Sequence, residues 1–290
     1  MPDPSFPVPL LSTEWLVAHQ GEPGIVVVDA SWYLAAARRD PHAEYEAGHI
    51  PGAIFWDLDA LSDPGTGLPH MLPDPAELAR QIGQVGIGDR DRVVVYDGSG
   101  VNLSAPRVWW MFRVMGHDEV AVLDGGLGRW RAEGRPLVSG VTERPPARFT
   151  ARFRPPLVRS LAATWSGLAA GTTQLLDARS RGRFEGSEPE PRPGLRGGHA
   201  PGARNLPYDE LVDPEGRVLP PVQLRRRYLD AGIDLTRPIV LSCGSGVTAC
   251  ALALGLDLVG HRDYAVYDGS WSEWGREGGP PVEMGPAGPV

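Results

Sequence analysis

Short apolar runs alternate with segments of helical periodicity along the whole chain. Continuous apolar runs are typical of strands buried on both faces of a parallel sheet. The runs that predict such strands are Ile25–Val28, Val93–Tyr96, Val120–Leu123, Leu175–Leu176, Ile239–Ser242 and Tyr264–Tyr267. Helices are predicted between them, for example over Pro75–Gln84 and Val222–Ala231. The alternation indicates an α/β fold with a mainly parallel sheet and helices on both faces, in which sites collect at the carboxyl ends of the strands.

The chain contains two copies of one plan. Four segments recur in the same order with nearly constant spacing, and Trp130 is matched by Trp274. The matching segments are Ile25–Ala30 with Gln174–Arg179, Gly48–Ala53 with Gly198–Ala203, Val94–Val101 with Val240–Val247, and Ala121–Gly126 with Ala265–Ser270. Two copies of this length predict tandem domains and not a short-period solenoid. We place the domains at residues 1–140 and 157–276, with a Pro- and Gly-rich linker at 141–156 and a flexible tail at 277–290.

Composition narrows the possible functions. The chain has 290 residues, enough for two cores, and a formal net charge of -8, which argues against nucleic acid or an anionic membrane as partner. It contains no lysine, which excludes lysine Schiff-base chemistry. The two cysteines form no disulfide framework, and no Cys/His/Asp spacing indicates a metal site. Without a basic, apolar N-terminal segment, the sequence predicts a cytoplasmic protein.

A glycine-rich loop follows the predicted strand Ile239–Ser242. It begins at Cys243 and leads into a predicted helix at Thr248–Leu254. Gly244 and Gly246 allow the backbone to curl so that several amides point inward, and the helix N-terminus adds a partial positive charge. Both effects favour an anion, and the Cys243 thiolate is the expected nucleophile.

Two features of this segment limit the alternatives. A cysteine phosphatase requires an arginine at the sixth position after its cysteine, and Ala249 stands there, so phosphoryl transfer is disfavoured. Cys250 lies within the predicted helix, where cysteine usually packs as a small apolar residue.

These motifs together resemble the rhodanese superfamily, and specifically its tandem-domain sulfurtransferases. The resemblance spans about Leu11 to Trp274. It rests on Asp29–Tyr33, His49–Ala53, Ala105–Trp110, Gly182–Phe184, Glu188–Pro191, Cys243–Thr248 and Tyr267–Trp274. The resemblance implies two rhodanese-like domains, the first silent and the second catalytic. Asp97 occupies the position at which the first copy would carry its cysteine, in agreement with that assignment.

The resemblance also suggests a donor. In the family, a basic Arg-Lys pair after the cysteine marks thiosulfate sulfurtransferases, and a Gly-Ser or Gly-Thr pair marks enzymes that use 3-mercaptopyruvate. Here the pair is Gly244-Ser245. Thiosulfate is a dianion with charge close to the transferred sulfur, whereas mercaptopyruvate carries its carboxylate farther away. A neutral loop with a separate cationic clamp therefore suits mercaptopyruvate.

Further site residues follow from the same resemblance. Arg183 and Arg192 match the substrate-binding arginines, which hold carboxylate and keto oxygens by charge-assisted hydrogen bonds. Ser245 matches a relay whose acid is Asp59, next to Asp57, and His70 matches a position near the site. The remaining substrate-binding positions are Gly244, Gly246, Val247 and Thr248. Arg179 and Arg181 are expected to be ordinary solvated side chains, and His49 and His199, one per copy, to be structural.

The predicted reaction needs no bound cofactor. Cys243 takes sulfur from 3-mercaptopyruvate as a persulfide, pyruvate leaves, and a thiol such as a thioredoxin-like protein, or cyanide, accepts the sulfur. Two alternatives remain open. One is a thiosulfate:cyanide sulfurtransferase, and the other is a non-catalytic module that relays sulfur or binds a partner.

Overall fold

The chain forms two α/β units, which we describe from a computed structural model covering residue 6 and residues 8–288. Unit 1 takes the chain up to Ser62, together with Leu72–Arg154 and Pro214–Val218. Unit 2 takes Asp63–Met71, Pro155–Asp213 and the chain from Leu219 onward. Within the described ranges, no helix is long and apolar enough to cross a membrane.

Unit 1 is built on a five-stranded parallel sheet of order β1-β5-β4-β2-β3. Its strands are β1 (Leu10–Leu11), β2 (Ile25–Asp29), β3 (Ala53–Phe55), β4 (Arg92–Tyr96) and β5 (Val120–Leu123). Its helices are α1 (Thr13–His19), α2 (Pro41–Ala47), α3 (Pro75–Gln84), α4 (Ala105–Val114) and α5 (Gly126–Ala132). The interior strands β2 and β5 are buried along their whole length, as the apolar runs Ile25–Val28 and Val120–Leu123 predict.

Unit 2 repeats this architecture, with a parallel sheet of order β6-β10-β9-β7-β8. Its strands are β6 (Val158–Arg159), β7 (Gln174–Asp177), β8 (Arg204–Asn205), β9 (Ile239–Ser242) and β10 (Tyr264–Tyr267). Its helices are α6 (Leu161–Ala169), α7 (Arg181–Glu185), α8 (Pro221–Asp230), α9 (Ala249–Leu258) and α10 (Ser270–Trp274). The two sheets have the same strand order, position by position, so the predicted duplication and fold class are confirmed.

Local sequence signals fix several element boundaries. Helix α3 begins as predicted, because the Asp74 side chain accepts a hydrogen bond from the Ala76 amide and Pro75 occupies the first turn. The four strands that the apolar pattern does not predict are β1, β3, β6 and β8. Each has only two or three residues, too few to show a period.

The unit boundaries differ from two contiguous domains. The main change between units falls at Arg154 and Pro155, inside the predicted linker. Residues 141–154 run along unit 1, where the Ala147 amide donates to Gly83 O at 2.8 Å. Residues 63–71 belong to unit 2 and residues 214–218 to unit 1, although the chain order places each of them in the other copy.

The segment after Arg276 also differs from the prediction of a flexible tail. His199 and Glu283 form an antiparallel bridge, and the Gly285 amide donates to Glu185 O at 2.9 Å. The indole of Trp274 donates to Pro281 O at 3.0 Å. Residues 277–288 are therefore attached to unit 2 by backbone hydrogen bonds that composition does not reveal. Residues 289–290 lie outside the described residues.

Candidate active site

Cys243 lies at the carboxyl end of β9, which is flanked by β10 and β7 in the sheet of unit 2. The loop 243–248 connects this strand to α9, with Thr248 at the helix N-cap. Cys243 is 1% exposed. Cys250 is buried inside α9, and its thiol donates to Gly246 O at 3.3 Å. The structure thus places the predicted nucleophile in the predicted strand-loop-helix setting, with Cys250 packed behind the loop.

Ser270 fixes the shape of this loop. Its Oγ accepts hydrogen bonds from the amides of Cys243 and Gly246, both at 3.1 Å, and donates to Tyr267 O at 2.8 Å. Ser270 is fully buried and has a φ of 48°, a left-handed conformation that a residue with a Cβ rarely adopts. The hydroxyl compensates for this strain by satisfying buried amides.

Helix α10 adds further bonds to the same loop. The Trp271 amide donates to Cys243 O at 2.9 Å. Ser272 donates to Gly244 O through both its amide and its Oγ, at 2.8 and 2.7 Å. Because these carbonyls are held by α10, the loop backbone is fixed before any substrate arrives.

Two guanidinium groups lie beside Gly244. A Cβ built on Gly244 would stand 2.9 Å from Arg183 Nη2 and 3.8 Å from Arg192 Nη1. Arg183 comes from α7, and its side chain is 16% exposed. The residue that follows Cys243 is therefore next to both predicted clamp residues, and its lack of a side chain leaves room for Arg183.

The sequence did not predict the buried ion-pair chain behind Arg183. Glu190 accepts from Arg183 Nη2 through Oε2 at 2.7 Å, and from Arg179 Nη1 through Oε1 at 2.7 Å. Arg179 in turn donates to Asp177 Oδ2 at 2.7 Å and lies over the Trp271 ring. The prediction that Arg179 is solvated is wrong, since its side chain is 0% exposed, whereas that of Arg181 is 62% exposed. The sequence signal that points to this chain of charges is the Glu188–Pro191 motif, which contains Glu190.

Ser245 and His70 are hydrogen-bonded to each other. Ser245 Oγ and His70 Nδ1 are 2.8 Å apart, and both residues are 4% exposed. His70 belongs to the 63–71 segment of unit 2 and has a φ of 60°. Asp59 belongs to unit 1, where its carboxylate oxygens accept from Trp32 Nε1 at 3.2 Å each. The participation of Asp59 in a relay therefore stays a prediction.

The remaining predicted loop residues, Val247 and Thr248, directly precede α9. Val247 is 2% exposed and its carbonyl accepts from the Cys250 amide, while the Thr248 carbonyl accepts from the Ala251 amide. Their contact with substrate stays a prediction. The part of the chain that the structure describes contains no group of three or more His, Cys, Asp or Glu side chains placed to hold a metal ion.

In the matching loop of unit 1, backbone amides surround the carboxylate of Asp97. The Asp97 carboxylate follows β4 and accepts from the amides of Ser99, Ser104 and Ala105, each at 2.9 Å, and from Ser99 Oγ. Ala105 is the first residue of α4. At the position equivalent to Cys243, this fold therefore gathers amides around a negative charge.

The two histidines at equivalent repeat positions have similar environments. His49 Nδ1 donates to Tyr45 O and His199 Nδ1 donates to Phe184 O, both at 2.9 Å. Each imidazole also stacks on the aromatic ring of the same residue. Each histidine therefore connects its own segment to a helix, α2 for His49 and α7 for His199, which is the structural role that the repeat symmetry predicts.

Comparison with known proteins agrees with this geometry. The sequence model of the Rhodanese-like domain matches residues 12–133 and 160–277. The chain is 43% identical to Arabidopsis thaliana thiosulfate/3-mercaptopyruvate sulfurtransferase 1, mitochondrial, over 95% of this chain and 78% of that protein. It is 42% identical to human 3-mercaptopyruvate sulfurtransferase over 94% of each chain. The crystal structure of SseA, a 3-mercaptopyruvate sulfotransferase from Escherichia coli, superposes with a TM-score of 0.84 at 38% identity, over 92% of this chain and 100% of that one. The chain therefore belongs to the rhodanese family, with two rhodanese-like domains in tandem.

Proposed function

We propose that this protein is a sulfurtransferase that moves sulfur from 3-mercaptopyruvate through a Cys243 persulfide to a thiol or to cyanide. The observation that carries the proposal is the position of Gly244, which directly follows Cys243 in the chain and lies beside the Arg183 and Arg192 guanidinium groups. 3-Mercaptopyruvate has a carboxylate for such a clamp and a thiol on the carbon next to its keto group. The arrangement supports simultaneous capture of the carboxylate and approach of sulfur to Cys243.

In the first half-reaction, the Cys243 thiolate attacks the sulfur of mercaptopyruvate. A sulfur–sulfur bond forms, the carbon–sulfur bond breaks, and its electron pair leaves with pyruvate as the enolate. The enolate carbon then takes a proton. We propose that the hydrogen-bonded pair Ser245 and His70 delivers this proton. The amides of Ser245, Val247 and Thr248 are the expected donors to negative sulfur, as the loop amides around Asp97 are to its carboxylate.

In the second half-reaction, an acceptor thiolate or cyanide attacks the outer sulfur of the persulfide. The Cys243 thiolate is the leaving group, so the enzyme returns to its initial state without an oxidant or a cofactor. A thioredoxin-like protein is the acceptor we favour among thiols. Two separate displacements on one cysteine give ping-pong kinetics.

The names of the relatives support sulfur transfer and both donors. The human relative is named for 3-mercaptopyruvate alone, and the Arabidopsis relative for thiosulfate as well. A thiosulfate:cyanide sulfurtransferase is therefore the second candidate, and a binding module without turnover is a more distant one. The neutral Gly244-Ser245 pair favours mercaptopyruvate, because no cation follows Cys243 in the loop itself. The predicted cytoplasmic location stays a prediction, because the Arabidopsis relative is named as mitochondrial.

The test is side-by-side kinetics with the two donors. We expect the wild-type protein to have the larger kcat/KM for 3-mercaptopyruvate, and Cys243→Ser to lose pyruvate release altogether. Cys250→Ser is the matched control, since it removes the other cysteine, and it should keep both activities. Mass spectrometry after donor alone should add one sulfur atom to wild type and none to Cys243→Ser. Pyruvate release by Cys243→Ser at the wild-type rate contradicts the mechanism, and a preference for thiosulfate selects the second candidate.

A further inference from the structure

Glu190 lies between two arginines of unequal exposure. Its carboxylate is 3% exposed and joins Arg183 of α7 to Arg179, whose guanidinium is 0% exposed. Arg183 approaches it through two nitrogens, Nη2 at 2.7 Å from Oε2 and Nε at 3.4 Å from Oε1. This side-on contact fixes the plane of the Arg183 guanidinium, the same group whose Nη2 stands beside Gly244.

The far end of this chain of charges is firmly anchored. Arg179 donates Nε and Nη2 to the Asp177 carboxylate at the end of β7, and Nη2 also to Gly198 O. Its guanidinium carbon lies 4.1 Å from the centre of the Trp271 ring, and the Trp271 amide is bonded to Cys243 O. Glu190 therefore has a fixed partner on one side and the substrate-facing arginine on the other.

The charges in this chain alternate and cancel. Asp177, Arg179, Glu190 and Arg183 carry two negative and two positive charges, so the group as a whole brings no net charge to the loop. Arg183 can still donate hydrogen bonds in a defined direction. Glu190, however, weakens the positive electrostatic field of Arg183 at the place where the sulfur-donating substrate binds. A dianion loses about twice as much interaction energy from this weakening as a monoanion does, because the interaction scales with the ligand charge.

We propose that Glu190 is a positioning residue that sets both the direction and the effective charge of Arg183, and so selects a monoanionic sulfur donor over a dianionic one. The inference rests on the proposed function, since it assigns a donor preference to that same site. It adds a residue that lies behind the clamp and acts through Arg183.

The experiment compares wild type with Glu190→Gln and Glu190→Asp, using 3-mercaptopyruvate and thiosulfate as donors. Glu190→Gln keeps the shape and removes the negative charge. We expect the ratio of kcat/KM for thiosulfate to kcat/KM for mercaptopyruvate to rise about fivefold, the effect of one additional charge at a partly screened distance. Glu190→Asp keeps the charge but is one methylene shorter. It should leave that ratio near the wild-type value while raising KM for mercaptopyruvate and leaving kcat unchanged.

Glu210→Gln is the matched control. Glu210 forms an ion pair at 2.6 Å with Arg181, an exposed residue of α7, the helix that also carries Arg183. Loss of the Glu210 charge should change kcat/KM for neither sulfur donor. Circular dichroism verifies that each variant is folded.

The outcomes separate the two claims. If Glu190→Gln lowers kcat/KM for both donors by the same factor, Glu190 is merely structural and the proposal is overturned. If that variant does not fold, Glu190→Asp decides, since a fall in kcat at unchanged KM overturns the positioning role. A wild type that releases no pyruvate overturns the proposed function, and this inference with it.

Discussion

Replacing Ser270 by glycine and, separately, by alanine tests whether one buried hydroxyl holds the loop around Cys243. Both changes remove the Oγ that accepts from the Cys243 and Gly246 amides. They differ in how they treat the backbone, because Ser270 has a φ of 48°. Glycine adopts this conformation freely, and alanine does not. Unit 1 already carries glycine at the matching position, Gly126, with a φ of 52°.

The magnitude follows from the contacts. Removing the acceptor of two buried N–H groups costs about 2–6 kcal/mol, at about 1–3 kcal/mol for each group left unsatisfied. Left-handed backbone at a residue with a Cβ costs about 1–2 kcal/mol, which glycine recovers. Glycine also increases the conformational entropy of the unfolded chain, which offsets this gain in stability by about 0.5–1 kcal/mol. We therefore expect Ser270→Ala to lose about 2–6 kcal/mol of unfolding free energy and Ser270→Gly about 1 kcal/mol less.

The assay is thermal unfolding followed by circular dichroism, together with pyruvate release from mercaptopyruvate. At about 2–4 °C per kcal/mol for a chain of this size, Ser270→Ala should lower Tm by about 4–24 °C and Ser270→Gly by less. Both variants should lose at least about tenfold in kcat/KM, since a loop misplaced by even a fraction of an ångström disturbs the reacting geometry. Ser166→Ala, an exposed serine of α6, serves as the control and should match wild type.

Two results refute the reasoning separately. If Ser270→Ala is as stable as Ser270→Gly, the left-handed backbone at Ser270 carries no strain. If both variants keep wild-type activity and stability, the hydroxyl does not hold the loop, and the bonds from Trp271 and Ser272 are sufficient.

Further predictions concern the clamp and the pH dependence of stability. Gly244→Ala places a Cβ 2.9 Å from Arg183 Nη2, so Arg183 must shift, and KM for mercaptopyruvate should rise about three- to tenfold with little change in Tm. An unchanged KM contradicts the clamp. Burial raises the pKa of Glu133, but hydrogen bonds from Thr13 and two arginines outweigh it and lower the pKa to about 2. A depressed carboxyl pKa stabilises the fold above the unfolded value, near 4.5, and this stabilisation is lost as the pH falls through 2. Glu133→Gln should therefore cost about 1–2 kcal/mol at pH 7 and much less near pH 2.5 in urea unfolding, and an equal loss at both pH values contradicts this origin.

The sequence predicts those parts of the molecule whose causes are local. Buried central strands such as β9 are read from their apolar runs, and the loop is read from Gly244 and Gly246. The tandem organisation follows from the repeat, and the family and fold predictions are confirmed by the domain matches and by the SseA structure.

The parts that sequence reasoning missed depend on contacts between separate segments of the chain. Arg179 follows Asp177 by two residues, but its burial also requires Glu190, which comes from the segment after α7, to face it. The pairing of His70 with Ser245 joins positions 175 residues apart, and only the family resemblance pointed to it. The short strands β3 and β8 are defined by their neighbours in the sheet, and not by their own composition.

The assignment of residues 63–71 to unit 2 affects how this protein can be divided. A fragment starting at Pro155 would carry Cys243, Arg183, Glu190 and Ser245, but the gene half encoding it would lack His70. Residues 214–218 present the converse problem for a fragment ending at Arg154. Neither half contains the whole of one unit, so truncation at the linker removes part of each unit. A permuted or split version that keeps 63–71 with the second half is the rational starting point for transplanting this site onto another protein.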